Sequence, residues 1–333
     1  MTLQPVVAGT DLDLAVHVGA ADVSGVTARI AELAVETGAP VTARWPWVSE
    51  CLVPGVWALT VTRGTELAAA VVLNDQLLNG TTVTTLAGTA EGHRGALLFR
   101  DTASGRALGS ALANALLAEP RRFVLGPLAS SEALAAMLQY LRSDVSIQPL
   151  EIPLLRPVGE PESELPKAMR RNLRKARNRI ATDGADARIE VLEDGREIAR
   201  LLPLILTVAR DRDHAGGRIS PFDDPAARRR WRARLLGLAE AGLLRLVTLL
   251  IDDEVAAYVI AVVDGDVVRV LDGRYVDRFA RYAPGRLLEA ELLEQVRRSE
   301  RFTVLDWMTT IAPESLLGSN DVEELVLVRG RSH

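Results

Sequence analysis

Runs of β-branched and other apolar residues alternate with short polar breaks through the second half of the chain. The alternation predicts three strands joined by tight turns, then a helix with a leucine stripe along one face, then a fourth strand. The turns fall at Asp252-Asp253 and Asp264-Gly265. The predicted elements cover residues 243–251, 254–263, 266–275, Pro284 to about Ser299, and 301–308.

The first half of the chain has the same order of elements. They cover residues 56–63, 66–74, 81–88, 105–119 and 121–128. Short segments also match, at offsets of 188, 180 and 179 residues: ELAAAVV from Glu66 with EVAAYVI from Glu254, GRAL from Gly105 with GRLL from Gly285, and RFVL from Arg122 with RFTVL from Arg301. A chain rich in alanine and leucine produces one such match by coincidence, but three in the same order indicate a duplicated fold unit.

Between the halves lies a basic segment that predicts an amphipathic helix. Met169, Leu173, Ala176 and Ile180 recur at helical spacing and form an apolar stripe. The polar positions of residues 167–179 carry seven cations and no acid: Lys167, Arg170, Arg171, Arg174, Lys175, Arg177 and Arg179. One interpretation is a cationic wall for a phosphate-bearing donor, and the alternative is the solvated face of an interdomain helix.

Composition narrows the class of protein. The 333 residues are 48% hydrophobic and 25% charged, with a net charge of -5, which is typical of a globular protein and argues against a dedicated nucleic-acid binder. A lone cysteine, Cys51, excludes an intrachain disulfide, and four scattered histidines give no metal-ligand spacing. The N-terminus lacks a signal-peptide pattern and no apolar run is long enough to span a bilayer, so we expect a cytoplasmic protein without membrane insertion or metal.

The order of elements, with a helix that begins just after the third strand of each half, resembles the GNAT acyltransferase superfamily. Tandem units joined by a basic helix are similar to cellulose-biosynthesis-type acetyltransferases and Fem-type aminoacyl transferases; residues 165–191 and 275–288 carry this resemblance. It implies an α/β fold of two tandem GNAT-like domains, each a mostly antiparallel mixed sheet with helices on its faces. We expect an N-terminal domain over 1–155, a basic linker helix over 156–185 and a C-terminal domain over 186–333.

The donor site implied by this resemblance lies where the helix begins at Pro284. Pro284 and Gly285 start a helix whose free backbone N–H groups would meet the diphosphate of acyl-CoA, with Arg281 and Arg286 adding charge and Tyr282 packing against the donor. Arg174 of the basic helix adds a further contact to the donor. The alternative interpretation is an ordinary amphipathic helix that begins with proline.

Two alanines depart from the superfamily pattern in this loop. Ala280 and Ala283 stand where the pattern has a glutamine or arginine and a glycine, whereas Arg100 and Gly105 of the first half fit the pattern better. Either half is therefore a candidate for the donor site. We favour the second half, because its loop is more similar to that of the tandem families.

Three residues are candidates for proton transfer. Asp272 ends the third strand of the second half, where the superfamily often places a carboxylate, and Asp306 ends the strand beyond the helix. His214 lies in a glycine-rich segment between helices that could close over an acceptor. The alternative for each is a surface or capping role. The general-acid tyrosine of many relatives has no counterpart here, since the matching segment offers only Ser315.

These features predict an acyltransferase that moves an acyl group from acyl-CoA, or a carrier thioester, to a small-molecule amine. Direct attack is expected, because neither Cys51 nor any serine lies in a nucleophile elbow. An alternative donor is aminoacyl-tRNA, which would yield an amide or peptide bond. A third reading is a non-catalytic binding module, favoured by the altered loop. The sequence leaves the acceptor, the acyl chain and the oligomeric state undetermined.

Overall fold

The computed structural model describes residues 11–89, 93–141, 145–157, 165–308 and 318–332. The chain divides into two compact units: Met1–Glu151 with Glu324–His333, and Ile152–Glu323. We call them the first and the second unit. This division differs from the domain limits expected from sequence, because the basic helix lies within the second unit and the last ten residues return to the first.

The first unit is built on a mixed sheet with helices on its faces. Its strands pair in the order β1-β2-β3-β4-β6-β13, with the short β5 also paired to β3. The strands are β1 (Leu12–Val18), β2 (Val56–Arg63), β3 (Glu66–Leu78), β4 (Thr81–Leu86), β5 (Leu98–Phe99), β6 (Arg122–Leu128) and most of β13 (Asp321–Arg331). The helices are α1 (Ala20–Ser24), α2 (Thr27–Glu36), α3 (Thr102–Leu117) and α4 (Glu132–Leu141).

Two features hold the first unit together. Helices α3 and α4 approach so closely that a Cβ added to Gly109 would lie 2.0 Å from the carbonyl oxygen of Ala133. The C-terminal strand β13 runs antiparallel to β6. Just beyond β13, the Oγ of Ser332 accepts a hydrogen bond from the backbone N–H of Arg121 at 2.9 Å and so ties the end of the chain to the start of β6. Backbone pairing therefore accounts for the return of the last residues to this unit.

The second unit repeats this plan. Its sheet has the order β12-β11-β10-β9-β8, and Leu154 and Leu155 at the end of β7 pair with β12. The strands are the last four residues of β7 (Val145–Leu155), β8 (Ala187–Leu192), β9 (Leu244–Ile251), β10 (Glu254–Asp264), β11 (Val267–Tyr275) and β12 (Val304–Asp306). The helices are α5 (Lys167–Thr182), α6 (Gly195–Ala215), α7 (Pro225–Glu240) and α8 (Pro284–Arg298).

The two faces of the second sheet have different neighbours. Odd-numbered residues such as Val247 and Val259 pack with the leucines of α8 into one core, which Leu173 and Ala176 of α5 also join. Tyr258 and Ile260 of β10 point to the opposite face together with Asp272 of β11, which pairs with Ile260, and α6 contacts both strands there. The apolar stripe of the basic helix is thus buried, while its cations stay exposed.

The order of elements predicted from the hydrophobic pattern is confirmed in both units. In each unit three antiparallel strands lead into a helix, and the strand after that helix pairs in parallel with the third: β4 with β6, and β11 with β12. Boundaries moved by at most four residues: β3 runs on to Leu78 rather than ending at 74, the helix begins at Thr102 rather than at 105, and the last predicted strand shortens to Val304–Asp306. None of the described helices has the length and hydropathy to cross a membrane.

Candidate active site

No side chain of the described residues caps the N-terminus of helix α8. Strand β11 carries a bulge, since Val270 pairs with Ala261 and Asp272 with Ile260, leaving Leu271 without an opposite residue. A short 3₁₀ helix follows, and Ala283 then adopts a left-handed conformation at φ 48° before Pro284 starts α8. No side chain caps this end, so the partial positive charge of its first turn faces outward.

Gly285 leaves room at this helix end. A Cβ built on Gly285 would have no neighbouring heavy atom within 4 Å. Its neighbour Arg286 lies 29% exposed and pairs with Glu289 at 2.7 Å. Burial raises the pKa of Glu289 even though Arg286 lowers it. An open helix N-terminus beside a guanidinium is chemically suited to bind an anion such as a diphosphate.

The loop before α8 is fastened to the basic helix. Tyr282 is only 3% exposed, and its hydroxyl donates to Asp183 at 2.9 Å and accepts from Arg281 at 2.5 Å. Arg179 also donates to the backbone carbonyl of Arg281. Tyr282 is thus a buried anchor of the loop, which differs from the donor-facing position that the resemblance implies for it.

The matching helix of the first unit has its N-terminus occupied by its own chain. Asp101 accepts a hydrogen bond from the N–H of Ser104 at 2.9 Å in a capping box, and Arg63 pairs with it at 3.0 Å. The N–H of Ser104 and then the Arg63 guanidinium lower the pKa of Asp101, so the carboxylate is charged. A Cβ on Gly105 would lie 2.8 Å from the ring of Phe99. The N-terminus of α3 therefore lacks the open space found at α8, and the Asp101 carboxylate already occupies its backbone N–H.

A groove of about 840 Å³ runs between α5 and α8. Its cationic lining comes from one face of α5, while Leu293 and Ala290 of α8 contribute apolar surface. The lining cations are Lys167, Arg170, Arg171, Arg174 and Arg177. Among the described residues, no carboxylate pairs with Lys167, Arg171, Arg174, Lys175 or Arg177. Glu294, which pairs with Arg297 and Arg298, is the one carboxylate among the lining residues, so the groove carries a net positive charge.

Asp272 lies in a hydrogen-bonded group on the face of the sheet toward α6. Its carboxylate accepts from the hydroxyl of Tyr258 at 2.6 Å and from Arg274 at 2.5 Å. Tyr258 is fully buried, and burial, followed by the charge of Asp272, raises the pKa of Tyr258 well above its ordinary value. The Tyr258 hydroxyl therefore keeps its proton and donates it in the hydrogen bond to Asp272. Asp272 keeps 19% of its side chain exposed, so it can still meet a substrate.

A second carboxylate lies close to this group. Asp213 of α6 is 8% exposed and accepts from Arg218 at 2.9 Å and from Ser220 at 3.1 Å. Its charge acts on Tyr258 together with those of Asp272 and Arg274. The glycine-rich segment after α6 is thus anchored to Asp213, whose charge reaches the buried phenol that donates to Asp272.

The structure separates the other two proton-transfer candidates from Asp272. His214 is half exposed, and its Nε2 lies 2.9 Å from the carboxylate of Asp223. Asp306 has no exposed surface and is ion-paired with Arg269, which also pairs with Asp264. Burial lowers the pKa of Arg269, but Asp306 and Asp264 outweigh this effect and raise it. A carboxylate enclosed in this way does not reach a substrate, because the ion pair and the sheet surround it.

Sequence reasoning overlooked Tyr258 and Asp213. A signal for Tyr258 was available in the repeat, since at the offset of 188 residues it corresponds to Ala70, a small residue buried in the first unit. A large hydroxylated side chain in one copy only marks a position where the cores of the two units differ. Ser315 lies outside the described residues. Within those residues, no group of three or more His, Cys, Asp or Glu side chains is arranged to hold a metal ion.

Comparisons with known proteins agree with this architecture. Residues 167–314 match the model of the acetyltransferase (GNAT) domain family. No curated protein sequence matches significantly. The crystal structure of FemX superimposes with a TM-score of 0.60 at 10% identity, over 95% of this chain and 96% of that one.

Two further solved structures are similar. A tandem GNAT protein from the clavulanic acid biosynthesis pathway has a TM-score of 0.50 at 17% identity, covering 96% of this chain and 99% of that chain. The C-terminal domain of a putative lysylphosphatidylglycerol synthetase from Agrobacterium fabrum has a TM-score of 0.51 at 12% identity, covering 79% and 81%. At these identities the likeness shows the fold, which is that of tandem GNAT proteins.

Proposed function

We propose that this chain of two GNAT-like units is an acyltransferase that moves an acyl group from a CoA thioester to an amine, with the donor bound at α8. The observation that carries the proposal is the contrast between two equivalent helix ends. The end at Pro284 is open and uncapped, whereas the end at Thr102 is filled by Asp101. The GNAT family match over residues 167–314, which contains α8, also supports the second unit.

In this proposal the N–H groups of the first turn of α8 bind the diphosphate of CoA, with Arg281 and Arg286 beside it. Gly285 is needed because a larger side chain would fill the space between phosphate and backbone. Pro284 fixes the start of the helix and Tyr282 holds the loop in place from its buried position. Arg174 then serves a more distant phosphate of the donor from the α5 groove.

Asp272 accepts a proton from the ammonium form of the acceptor. The neutral nitrogen attacks the thioester carbonyl carbon, the carbon–sulfur bond breaks, and the CoA thiolate leaves. The nitrogen loses its second proton to water, and the thiolate takes up a proton from water, so the proton count balances. Tyr258 and Arg274 orient the Asp272 carboxylate for this transfer. Tyr258 and Tyr282 already donate their hydroxyl hydrogens to Asp272 and Asp183, whereas Tyr275 accepts from Arg212 and keeps its own hydrogen.

Substitution of Gly285 by valine tests the donor site. We expect Gly285→Val to raise the dissociation constant for acetyl-CoA by at least about tenfold, since hydrogen bonds to a charged group contribute roughly 1.5–3 kcal/mol. Gly195→Val is a matched control: Gly195 also begins a helix of this unit, and its Cβ position meets only ordinary contacts, at 3.7 Å from Ala239. Isothermal titration calorimetry measures binding, and thermal melts check the fold.

Unchanged acetyl-CoA binding in a folded Gly285→Val variant would refute the donor site at α8. Gly105 of the first unit would then be the next position to test. Binding of acetyl-CoA without turnover of any amine would instead favour the third reading, a binding module.

The α5 groove favours a second candidate, an aminoacyl-tRNA donor. Cations without carboxylate partners, arranged along a helix, suit the phosphates of a nucleic acid. Each phosphate neutralised contributes about -0.7 to -0.9 to the slope of log K against log salt, so tRNA binding should weaken steeply with salt. Binding of labelled tRNA, measured by anisotropy from low to high salt, tests this candidate.

A double variant sharpens that test. Arg171→Glu with Arg174→Glu should abolish tRNA binding in the second candidate, whereas Arg229→Glu, at an exposed arginine of α7, should leave it unchanged. If the double variant lowers acetyl-CoA affinity only and wild type binds no tRNA, the CoA proposal stands.

A further inference from the structure

The segment that joins α6 to α7 presents a cation and an apolar side chain side by side. Arg218 is 61% exposed and Ile219 is 91% exposed, on residues that follow two glycines. The segment is nevertheless held in place, because Arg218 and Ser220 both donate to the buried carboxylate of Asp213. An anchored loop that displays an isoleucine to solvent is suited to cover an apolar group of a ligand.

Arg274, which is bonded to Asp272, and Arg218, which is bonded to Asp213, both have hydrogen-bond donors to spare. A guanidinium carries five N–H groups. Arg218 uses one of them on Asp213, and Arg274 uses Nη1 on Asp272 and on the carbonyl of Gly273. The Nε of Arg274 is buried without an acceptor among the described residues. Each arginine can therefore bind a carboxylate of a ligand without losing its own partner.

The charges of this cluster balance. Asp213 and Asp272 contribute two negative charges and Arg218 and Arg274 two positive ones, with the buried phenol of Tyr258 among them. A neutral but strongly dipolar surface is complementary to a ligand that is itself neutral and dipolar, and it disfavours one with an unbalanced charge.

We propose that the acceptor is an α-amino acid with an apolar side chain, bound as a zwitterion. Its ammonium faces Asp272, its carboxylate is bound by Arg218 and Arg274, and its side chain lies against Ile219. This inference rests on the proposed acyl transfer and names the substrate class of the same site. During the reaction Asp272 takes one ammonium proton, the nitrogen forms the amide bond, and the carbon–sulfur bond of the donor breaks. The nitrogen loses its second proton through water to the released thiolate.

Leucine and leucinamide distinguish carboxylate recognition from simple reactivity. The ammonium of the amide is the more acidic, so without carboxylate recognition leucinamide reacts faster at neutral pH. We expect wild-type protein with acetyl-CoA to show a higher kcat/KM for leucine. Arg218→Gln and Arg274→Gln, which keep a donor for the neighbouring carboxylate but remove the charge, should each lower the leucine-to-leucinamide ratio at least about tenfold, mainly through KM for leucine.

The control is Arg188→Ala, an exposed ion-paired arginine on β8, which should keep both the rate and the ratio. A ratio unchanged in both arginine variants, or leucinamide preferred by wild type, overturns the carboxylate proposal while leaving acyl transfer intact. Protein that binds acetyl-CoA but acetylates neither compound overturns the acceptor class and leaves the donor site standing. Protein that binds no acetyl-CoA overturns the proposed function itself.

Discussion

Replacing Asp272 by asparagine separates a catalytic carboxylate from a structural one. The carboxylate accepts from Tyr258 at 2.6 Å and from Arg274 at 2.5 Å, and asparagine can retain both contacts. Its amide oxygen accepts from Arg274, and its NH₂ group donates to the oxygen of Tyr258. The change therefore removes the charge and the proton-accepting ability but leaves the shape of the site.

The cost in stability follows from these contacts. A hydrogen bond to a charged group contributes about 1.5–3 kcal/mol and one between neutral groups about 0.5–1.5 kcal/mol, so two converted bonds cost roughly 2 kcal/mol. The charge attraction adds little, because Arg274 is 35% exposed and solvent screens the pair. Loss of a general base lowers the rate by about 10²–10⁴, which corresponds to roughly 3–5 kcal/mol in the barrier.

Initial rates with varied amine at saturating acetyl-CoA, together with chemical denaturation, measure the two effects on the same variant. We expect kcat to fall at least about 10²-fold while the protein remains folded at the assay temperature. Tyr258→Phe removes one donor to Asp272 and keeps the ring, so it should lower kcat less, by about tenfold. An Asp272→Asn protein that is destabilised but turns over within a few-fold of wild type would show a structural role, and His214 would be the next base to examine.

Three further predictions concern stability. Gly109→Val should destabilise the first unit by at least about 3 kcal/mol in chemical denaturation, because overpacking at the 2.0 Å approach to Ala133 forces α3 and α4 apart. Asp101→Ala should cost about 1 kcal/mol through loss of its cap and leave acetyl-CoA affinity unchanged by calorimetry. Glu289→Gln should be more stable than wild type near pH 7 in thermal melts, and the difference should vanish as the pH falls, because the raised pKa of Glu289 means that the fold favours its protonated form.

The sequence by itself determined the order of elements and the class of fold. Side chains repeat every 2.0 residues on one face of a strand and every 3.6 residues on one face of a helix, because of the local backbone geometry. When one face is buried, its apolar residues show this period along the chain. For the same reason the basic helix at Lys167–Thr182 and the helix start at Pro284 were predictable. The cap formed by Asp101 and Ser104 is also a local sequence pattern. Only the structure, however, shows that this cap occupies the N-terminus of α3.

Only the tertiary structure decided which polar side chains meet. Tyr258 and Asp272 lie 14 residues apart, Tyr282 and Asp183 lie 99 apart, and the last strand returns to the sheet of the first unit. These contacts depend on strand register and on which face of the sheet each side chain occupies. Both are fixed by many weak packing contacts between distant segments, which leave no periodic trace in the sequence.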